Sequence, residues 1–309
     1  MSDYQLRPMR REEWNEVAEL IYDSTNAWYV ASGKSAIFTG PKSNALLFCE
    51  VYESLDPECC IVAVDDESGK IIGSCFMHPR ETHVSLGIMN VHPDHFGRGI
   101  AVAILGEITD YADKHGLPIR LVSSAMNLDS FSLYNRSDFV PRAVYQDMIM
   151  TVPDEGFDPP IPAGHRLRDA EISDVPRMAE LEMSISGIRR EKDYQFFITN
   201  SQGIWHVSVL EDAQGELAGF LVSVGHPGST MLGPGIMRNE AVATALIMAE
   251  LNQHRGKTPV WLIPSECPEL VKAMYAIGAK NCELHFAQCR GNWTPTSGIV
   301  MPTFMPETG

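Results

Sequence analysis

The chain repeats itself, and the repeat constrains its fold more than any other feature of its 309 residues. Tyr4-Gln5-Leu6-Arg7 runs into a helical pattern that contains Val17-Ala18-Glu19-Leu20. At the same spacing, His165-Arg166-Leu167-Arg168 runs into Met178-Ala179-Glu180-Leu181. Both read as a short strand and then an amphipathic helix. In the second copy Ser173 or Asp174 offers an N-cap. Pro176 stands in the first turn, where its missing N–H costs little.

A second match follows. Cys60 to Val64 is apolar, Asp65-Asp66-Glu67-Ser68-Gly69 turns, and Lys70-Ile71-Ile72-Gly73 opens a strand that ends at His78-Pro79. Trp205 to Leu210, Glu211-Asp212-Ala213-Gln214-Gly215 and Glu216-Leu217-Ala218-Gly219 repeat the plan, ending near His226-Pro227. Each predicts a β-hairpin with an acidic loop closed by glycine. Helical stretches at Asn44–Leu55 and Arg190–Asn200 separate these matches. After them each half offers a strand, a glycine-containing turn, a long helix, a strand, a shorter helix and a last strand. Residues 152–162, with four prolines and three acids, cannot build a regular element and read as the linker. The expected domains are therefore 1–155 and 156–309. Each is a mixed α/β unit long enough to bury its own core. Residues 291–309 read as an irregular tail in which Ile299-Val300-Met301 and Phe304-Met305 dock.

The chemistry concentrates after the first hairpin. A strand from Val84 to Val91 enters His92-Pro93-Asp94-His95-Phe96-Gly97-Arg98-Gly99-Ile100-Ala101, which opens a helix reaching about His115. A helix N-terminus presents unpaired N–H groups and the positive end of its dipole. Glycines there let an anion approach the backbone, so the turn reads as a pyrophosphate cradle. It is not the dinucleotide fingerprint, which needs a third small residue at Val102 and a place in a first βαβ unit.

Val91-His92-Pro93 followed by Phe96-Gly97-Arg98-Gly99-Ile100-Ala101 resembles the acyl-CoA-binding signature of the GNAT superfamily of N-acetyltransferases. Gly99 and Ala101 fit its pattern. Phe96 replaces the usual Arg or Gln, and Arg98 is the alternative source of positive charge. A second signature of the family resembles Asn127, Ser130, Leu133, Tyr134, Asp138 and Phe139. Asp138 stands where glycine is usual, so an Asp in the left-handed region is expected to make that turn. In the second half Met231 to Met237 and Leu270 to Ala279 echo both signatures faintly, with Pro234 removing one backbone donor. The resemblance covers roughly residues 4 to 290. It implies an α+β fold: two tandem GNAT-like domains, each a mixed, mostly antiparallel sheet flanked by helices. It also implies acetyl-CoA as cosubstrate, held by the first half at Phe96–Ala101, with Asn127 on the pantetheine arm. The second half is expected to shape the acceptor pocket or hold the pseudo-dimer together.

The implied reaction is direct attack of a neutral amine on the acetyl thioester. Backbone N–H groups at Met89, Asn90 and Val91 would bind the carbonyl oxygen. Tyr134, protonated at neutral pH, would be the general acid; its alternative is a Tyr packed at a helix end. No carboxylate lies between Thr82 and Val91, so the base falls to His83, with Ser85 on the same strand face. A solvent-facing strand residue is the bland alternative, and Glu81 is a remoter candidate. His92 and His95 lack a third ligand and read as loop residues, so no metal is expected. Tyr275 reads as a core or pocket-lining residue. Ser265-Glu266-Cys267 reads as a helix start, and no nucleophile signature is present.

Composition narrows the partners. The net charge of -16 offers no basic stripe for nucleic acid and no polybasic patch for a membrane. Seven cysteines, an odd number without Cys-x-x-Cys, read as reduced thiols of a cytoplasmic protein. No apolar run reaches the ~20 residues of a membrane span, and Met1-Ser2-Asp3-Tyr4 opens no signal peptide. The acceptor is expected to be a small-molecule amine and the protein a monomer or a homodimer. A decayed acyl-CoA-binding module and a protein N-acetyltransferase are the competing readings.

Overall fold

The computed structural model describes residues 3–305 and the backbone of residues 307–308. Contacts group the chain into two compact units. The first takes residues up to Pro79, His83–Ile119 and Phe304–Thr308; the second takes Arg80–Thr82 and Arg120–Thr303.

The first unit begins with β1 (Tyr4–Pro8), α1 (Trp14–Ala31) and α2 (Leu46–Leu55). β2 (Cys60–Asp65), β3 (Ile71–Pro79), β4 (Val84–Val91), α3 (Ile100–His115) and the first residue of β5 (Ile119–Ser124) follow. Its sheet runs β1-β2-β3-β4, antiparallel throughout, with Leu6 opposite Ala63, Cys60 opposite Phe76 and Gly73 opposite Val91. Side chains alternate across it. On one face Phe76 meets Tyr52 of α2, with ring centroids 4.7 Å apart. On the other, Gly73 lies under α3, and a Cβ on it would stand 2.6 Å from Ile100 Cγ2. The buried Val17, Ile21, Tyr52, Phe76, Ile104 and Ile108 fill the two interfaces.

The second unit continues with α4 (Leu128–Arg136), β6 (Val140–Ile149), β7 (Arg166–Asp169), α5 (Val175–Ser186) and α6 (Glu191–Thr199). It goes on through β8 (Trp205–Glu211), β9 (Leu217–His226), β10 (Ser229–Met237), α7 (Glu240–Leu251) and β11 (Val260–Pro264). It closes with α8 (Pro268–Ala276), β12 (Lys280–Arg290) and β13 (Ile299–Met301). Strand order is β5-β12-β6-β11-β10-β9-β8-β7, with β13 beside β10. The long strands β6 and β12 change places relative to the repeat. β6 lies between β12 and β11, with Tyr145 opposite His285 on one side and Pro264 on the other. Its core gathers Leu210, Leu221, Leu246, Trp261 and Met301 around α7, which is apolar on nearly every side. Residues 152–165 carry no regular element. Asn252 fixes them by accepting from the Phe157 N–H at 2.8 Å and donating to its carbonyl at 3.0 Å.

The repeat returns in three dimensions as matched devices. Arg7 Nη1 donates to Glu13 Oε2 at 2.8 Å, and that oxygen also accepts from the Arg10 N–H. Arg168 Nη1 donates to Asp174 Oδ2 at 2.7 Å, and that oxygen accepts from the Glu171 N–H. Asp174 is thus spent on the turn before α5, and no side chain caps the helix as the sequence suggests. The second glycine of each hairpin also has a packing cause. Gly219 lies under α7 as Gly73 lies under α3, and a Cβ on it would stand 2.8 Å from Val242 Cγ1.

Candidate functional site

β4 does not run straight. Cys75 opposes Met89 and Met77 opposes Leu86, so Gly87 and Ile88 together face Phe76 alone. This is a β-bulge, and a glycine inside a strand is its usual sign. A Cβ on Gly87 would lie 3.0 Å from both the Phe76 carbonyl and His78 Nε2. Beyond the bulge, Met89 and Val91 are half-buried and Asn90 is buried.

The chain then makes a short 3-10 turn at Pro93–His95 and reaches the glycines. Gly97 and Gly99 both take φ +77, and a Cβ on either would meet nothing within 4 Å. Gly99 is the N-cap of α3 and no side chain caps the helix. Its first N–H groups therefore have no side-chain acceptor and face an uncrowded backbone. Ile100 is buried, whereas Phe96 is 60% exposed. Arg98 is turned aside. Its guanidinium stands 3.3 Å from Asp65 Oδ1, 3.6 Å from Asp3 Oδ2 and 2.5 Å from His95 Nδ1. Hydrogen bonds from Ser68, and then Arg98, hold the Asp65 carboxyl below its usual range.

His83 and Ser85 are buried rather than solvent-facing, with His83 Nε2 3.1 Å from Ser85 Oγ. They stand at the far end of β4 from the glycine turn, ~20 Å along the strand. Glu81 is exposed and 3.8 Å from Arg189. The same sheet face carries polar residues that sequence reasoning missed. Ser85 opposes His78 in the ladder, and His78 Nδ1 lies 2.7 Å from Asp56 Oδ2, both buried. Ser74 opposes Asn90, whose Nδ2 donates to Thr25 Oγ1 at 3.2 Å. Ser74 Oγ and Asn90 Oδ1 meet no hydrogen-bond partner among the described residues, although both are buried. A sheet face packed under helices is ordinarily apolar; a polar one is a sign of a binding surface.

In the second unit, Asn127 is the N-cap of α4, its Oδ1 accepting from the Ser130 N–H at 3.0 Å. Tyr134 is 6% exposed, its ring centroid 5.6 Å from that of Phe139. Asp138 takes φ +66, the left-handed turn expected of it.

Residues 18–139 match the model of the Acetyltransferase (GNAT) family. No curated protein matches the chain in sequence. Among solved structures, the chain resembles a candidate acetyltransferase from Pyrococcus horikoshii at 13% identity and a TM-score of 0.73. That match covers 99% of this chain and 94% of the other. A GCN5-related N-acetyltransferase from Sphaerobacter thermophilus is 14% identical with a TM-score of 0.65, over 96% of this chain and 99% of that one. A tandem GNAT protein from the clavulanic acid biosynthesis pathway is 15% identical with a TM-score of 0.60, over 93% and 98%. The whole chain therefore has the tandem GNAT fold, an α/β architecture with a mixed sheet flanked by helices.

In the second GNAT-like half, the place equivalent to that glycine turn is closed from within the same half. β10 pairs with β11 only at Met231 and Leu232, and from Gly235 to Met237 it pairs with β13 instead. Gly233 takes φ +127, and a Cβ on it would stand 2.6 Å from the Pro302 carbonyl. Asn239 caps α7 by accepting from the Val242 N–H at 3.1 Å. Glu240 accepts from the Leu270 N–H at 2.6 Å, and Glu240 and Glu269 line the shallow hollow beside it. Tyr275, expected in the core or lining a pocket, is 47% exposed and donates to Gln146 Oε1 at 2.8 Å.

No group of three His, Cys, Asp or Glu able to hold a metal occurs among the described residues, and none of their helices is long and apolar enough to cross a membrane.

Proposed function

We propose that the protein is an acyl-CoA-dependent N-acetyltransferase that moves the acetyl group of acetyl-CoA to the amine of a small molecule by direct attack. The observation that carries this reading is the uncapped N-terminus of α3, behind two glycines at φ +77 and a bulged β4, inside the stretch that matches the family. The residues present fit a pyrophosphate, because backbone N–H groups and a helix dipole serve it without a side-chain cation. That matters here, since Phe96 is uncharged and Arg98 is engaged with Asp65. Gly97 to Ala101 would hold the phosphates, Asn127 the pantetheine arm and the Met89–Val91 backbone the acyl carbonyl. The amine nitrogen bonds to the carbonyl carbon as the C–S bond breaks. Tyr134 gives its proton to the leaving sulfur and takes one back from the new amide nitrogen.

The domains we assign are 1–155, which binds acetyl-CoA, and 156–309, a degenerate copy. The closure of β10 by β13 and the self-capped α7 support the second assignment. Seven free cysteines, several with pKa raised by burial, suit the cytoplasmic setting we propose. The acidic balance favours a cationic amine over nucleic acid as partner.

Calorimetry with acetyl-CoA and CoA, with free-thiol release over a panel of amines, tests the reading. Binding with thiol release on small amines is the expected result. Tight binding with no turnover on any amine would favour a decayed module, the alternative to which Phe96 and the engaged Arg98 lend support. Turnover confined to peptide N-termini or lysines would favour a protein N-acetyltransferase.

A further inference from the structure

We propose that Phe96 is a stacking platform for the adenine base of acetyl-CoA; the inference rests on the reading above, in which the turn before α3 holds the pyrophosphate. The chain has twelve phenylalanines. Eleven are buried or half-buried, and Phe96 alone is exposed, at 60%. Val102, in the first turn of α3, is 57% exposed. Among the described residues of the first unit four large apolar side chains are exposed, and these two flank one turn. A single exposed apolar residue is ordinary, whereas apolar side chains gathered at a binding turn mark a contact surface. The backbone holds the ring in place. Phe96 is extended, with φ -61 and ψ 152, and its N–H donates to the Pro93 carbonyl at 3.3 Å. Gly97 and Gly99 follow at φ +77 in open space. Three residues separate Phe96 from the N-cap of α3, so the two Cα atoms lie within ~11 Å of each other.

The chemistry of the ligand agrees. In CoA the adenosine is joined directly to the diphosphate. A diphosphate seated on the first N–H groups of α3 therefore brings the base within reach of a ring beside that turn. Adenine presents a flat π face, and an aromatic side chain is a common platform for it. The turn also lacks a free side-chain cation. Arg98 is engaged with Asp65, Asp3 and His95, and Phe96 stands where the resembled signature has Arg or Gln. Affinity that a cation would supply at the phosphates is recovered from uncharged contact farther along the nucleotide. Phe96 is then a change in the mode of binding and not a sign of decay.

The test measures the affinity of the full chain, by calorimetry, for acetyl-CoA and for acetyl-4′-phosphopantetheine, which lacks the adenosine portion. Phe96→Ala is expected to weaken acetyl-CoA binding about 5- to 30-fold and to leave acetyl-4′-phosphopantetheine binding within twofold. Stacking is not Coulombic, so the loss should be the same at about 0.05 M and about 0.5 M salt. Phe96→Trp is expected to keep acetyl-CoA affinity. Its added indole should be quenched by acetyl-CoA and not by acetyl-4′-phosphopantetheine, over and above any change in the five native tryptophans. Equal acetyl-CoA affinity in the parent and Phe96→Ala overturns the proposal. So does an equal loss toward both ligands, which would mean that the ring only shapes the turn. In either case acetyl-CoA binding by the parent leaves the reading above standing. If the parent binds neither acetyl-CoA nor CoA, that reading fails and the stacking assignment with it. If Phe96→Ala misfolds, or the shorter ligand binds too weakly to measure, the Phe96→Trp emission decides: quenching by acetyl-CoA supports the platform and an unmoved signal overturns it.

Discussion

At the scale of the residue, the same side-chain type does different work according to what packs around it. Tyr134 stands seven residues past the N-cap of α4 and is 6% exposed, whereas Tyr275 stands eight past that of α8 and is 47% exposed. If Tyr134 is the acid, Tyr134→Phe should lower acetylation ~100-fold or more while calorimetric acetyl-CoA binding persists; an unchanged rate removes it from the mechanism. Histidines diverge as sharply. His254 is buried with neither ring nitrogen bonded among the described residues, and burial pushes its pKa down to about 4. The unfolded imidazole titrates near 6.5. Between those values the unfolded chain binds a proton that the folded chain refuses. Stability is then complete above about pH 6.5 and is lost as pH falls toward about 4. His206 opposes this: hydrogen bonding to Glu250 raises its pKa, so its contribution holds at low pH and fades as pH rises through the folded value. Urea unfolding of His254→Leu at about pH 7 and about pH 4.5 should show a smaller acid loss than the parent, by on the order of 2 kcal/mol. The repeat's Arg7 and Arg168 were visible as sequence. His78 and Asp56 were not, because a contact between a strand end and a helix cap leaves no periodic trace.

At the scale of the element, the glycines decide what each turn can accept. Gly97 and Gly99 hold left-handed backbone in open space, which is a conformational requirement and not a steric one. Gly99→Ala should therefore destabilise the N-terminus of α3 by about 1–2 kcal/mol. It should also weaken acetyl-CoA binding, which calorimetry on the folded variant would read. Gly233 is constrained differently, because its missing Cβ makes room for the Pro302 carbonyl. Gly233→Ala combines a left-handed φ with a 2.6 Å clash and should cost on the order of 1–3 kcal/mol or more in urea unfolding. It should also loosen β13 in hydrogen exchange. Undisturbed β13 amides would mean that the segment is held by other contacts. The strand, turn and helix at Val84–His115 were legible from alternation, glycine and helical period. The bulge at Gly87 had only a mid-strand glycine to announce it.

At the scale of the whole molecule, one chain carries two copies of a fold, and among the described residues only α3 begins behind two open left-handed glycines. Isothermal titration should accordingly give one acetyl-CoA per chain; a stoichiometry of two would contradict the closure of β10 by β13. The C-terminal segment also contributes to the first unit. There β14 (Thr303–Phe304) pairs with β15 (Glu307–Thr308), and the Phe304 carbonyl accepts from the Tyr52 hydroxyl at 2.8 Å. By itself the sequence determined the duplicated strand and helix order, the acidic hairpins, the structureless stretch near 156 and the turn before α3. Those are local properties: side-chain period, turn chemistry and backbone freedom act over a few residues. Only the tertiary structure decided that β6 lies between β11 and β12, that β13 fills the second half's opening, that Arg98 turns to Asp65 and that His78 meets Asp56. Alternation tells a strand which face to bury but not which neighbour to pair with. A side chain's charge says nothing about which of several partners, scores of residues away, the packed chain will bring within reach.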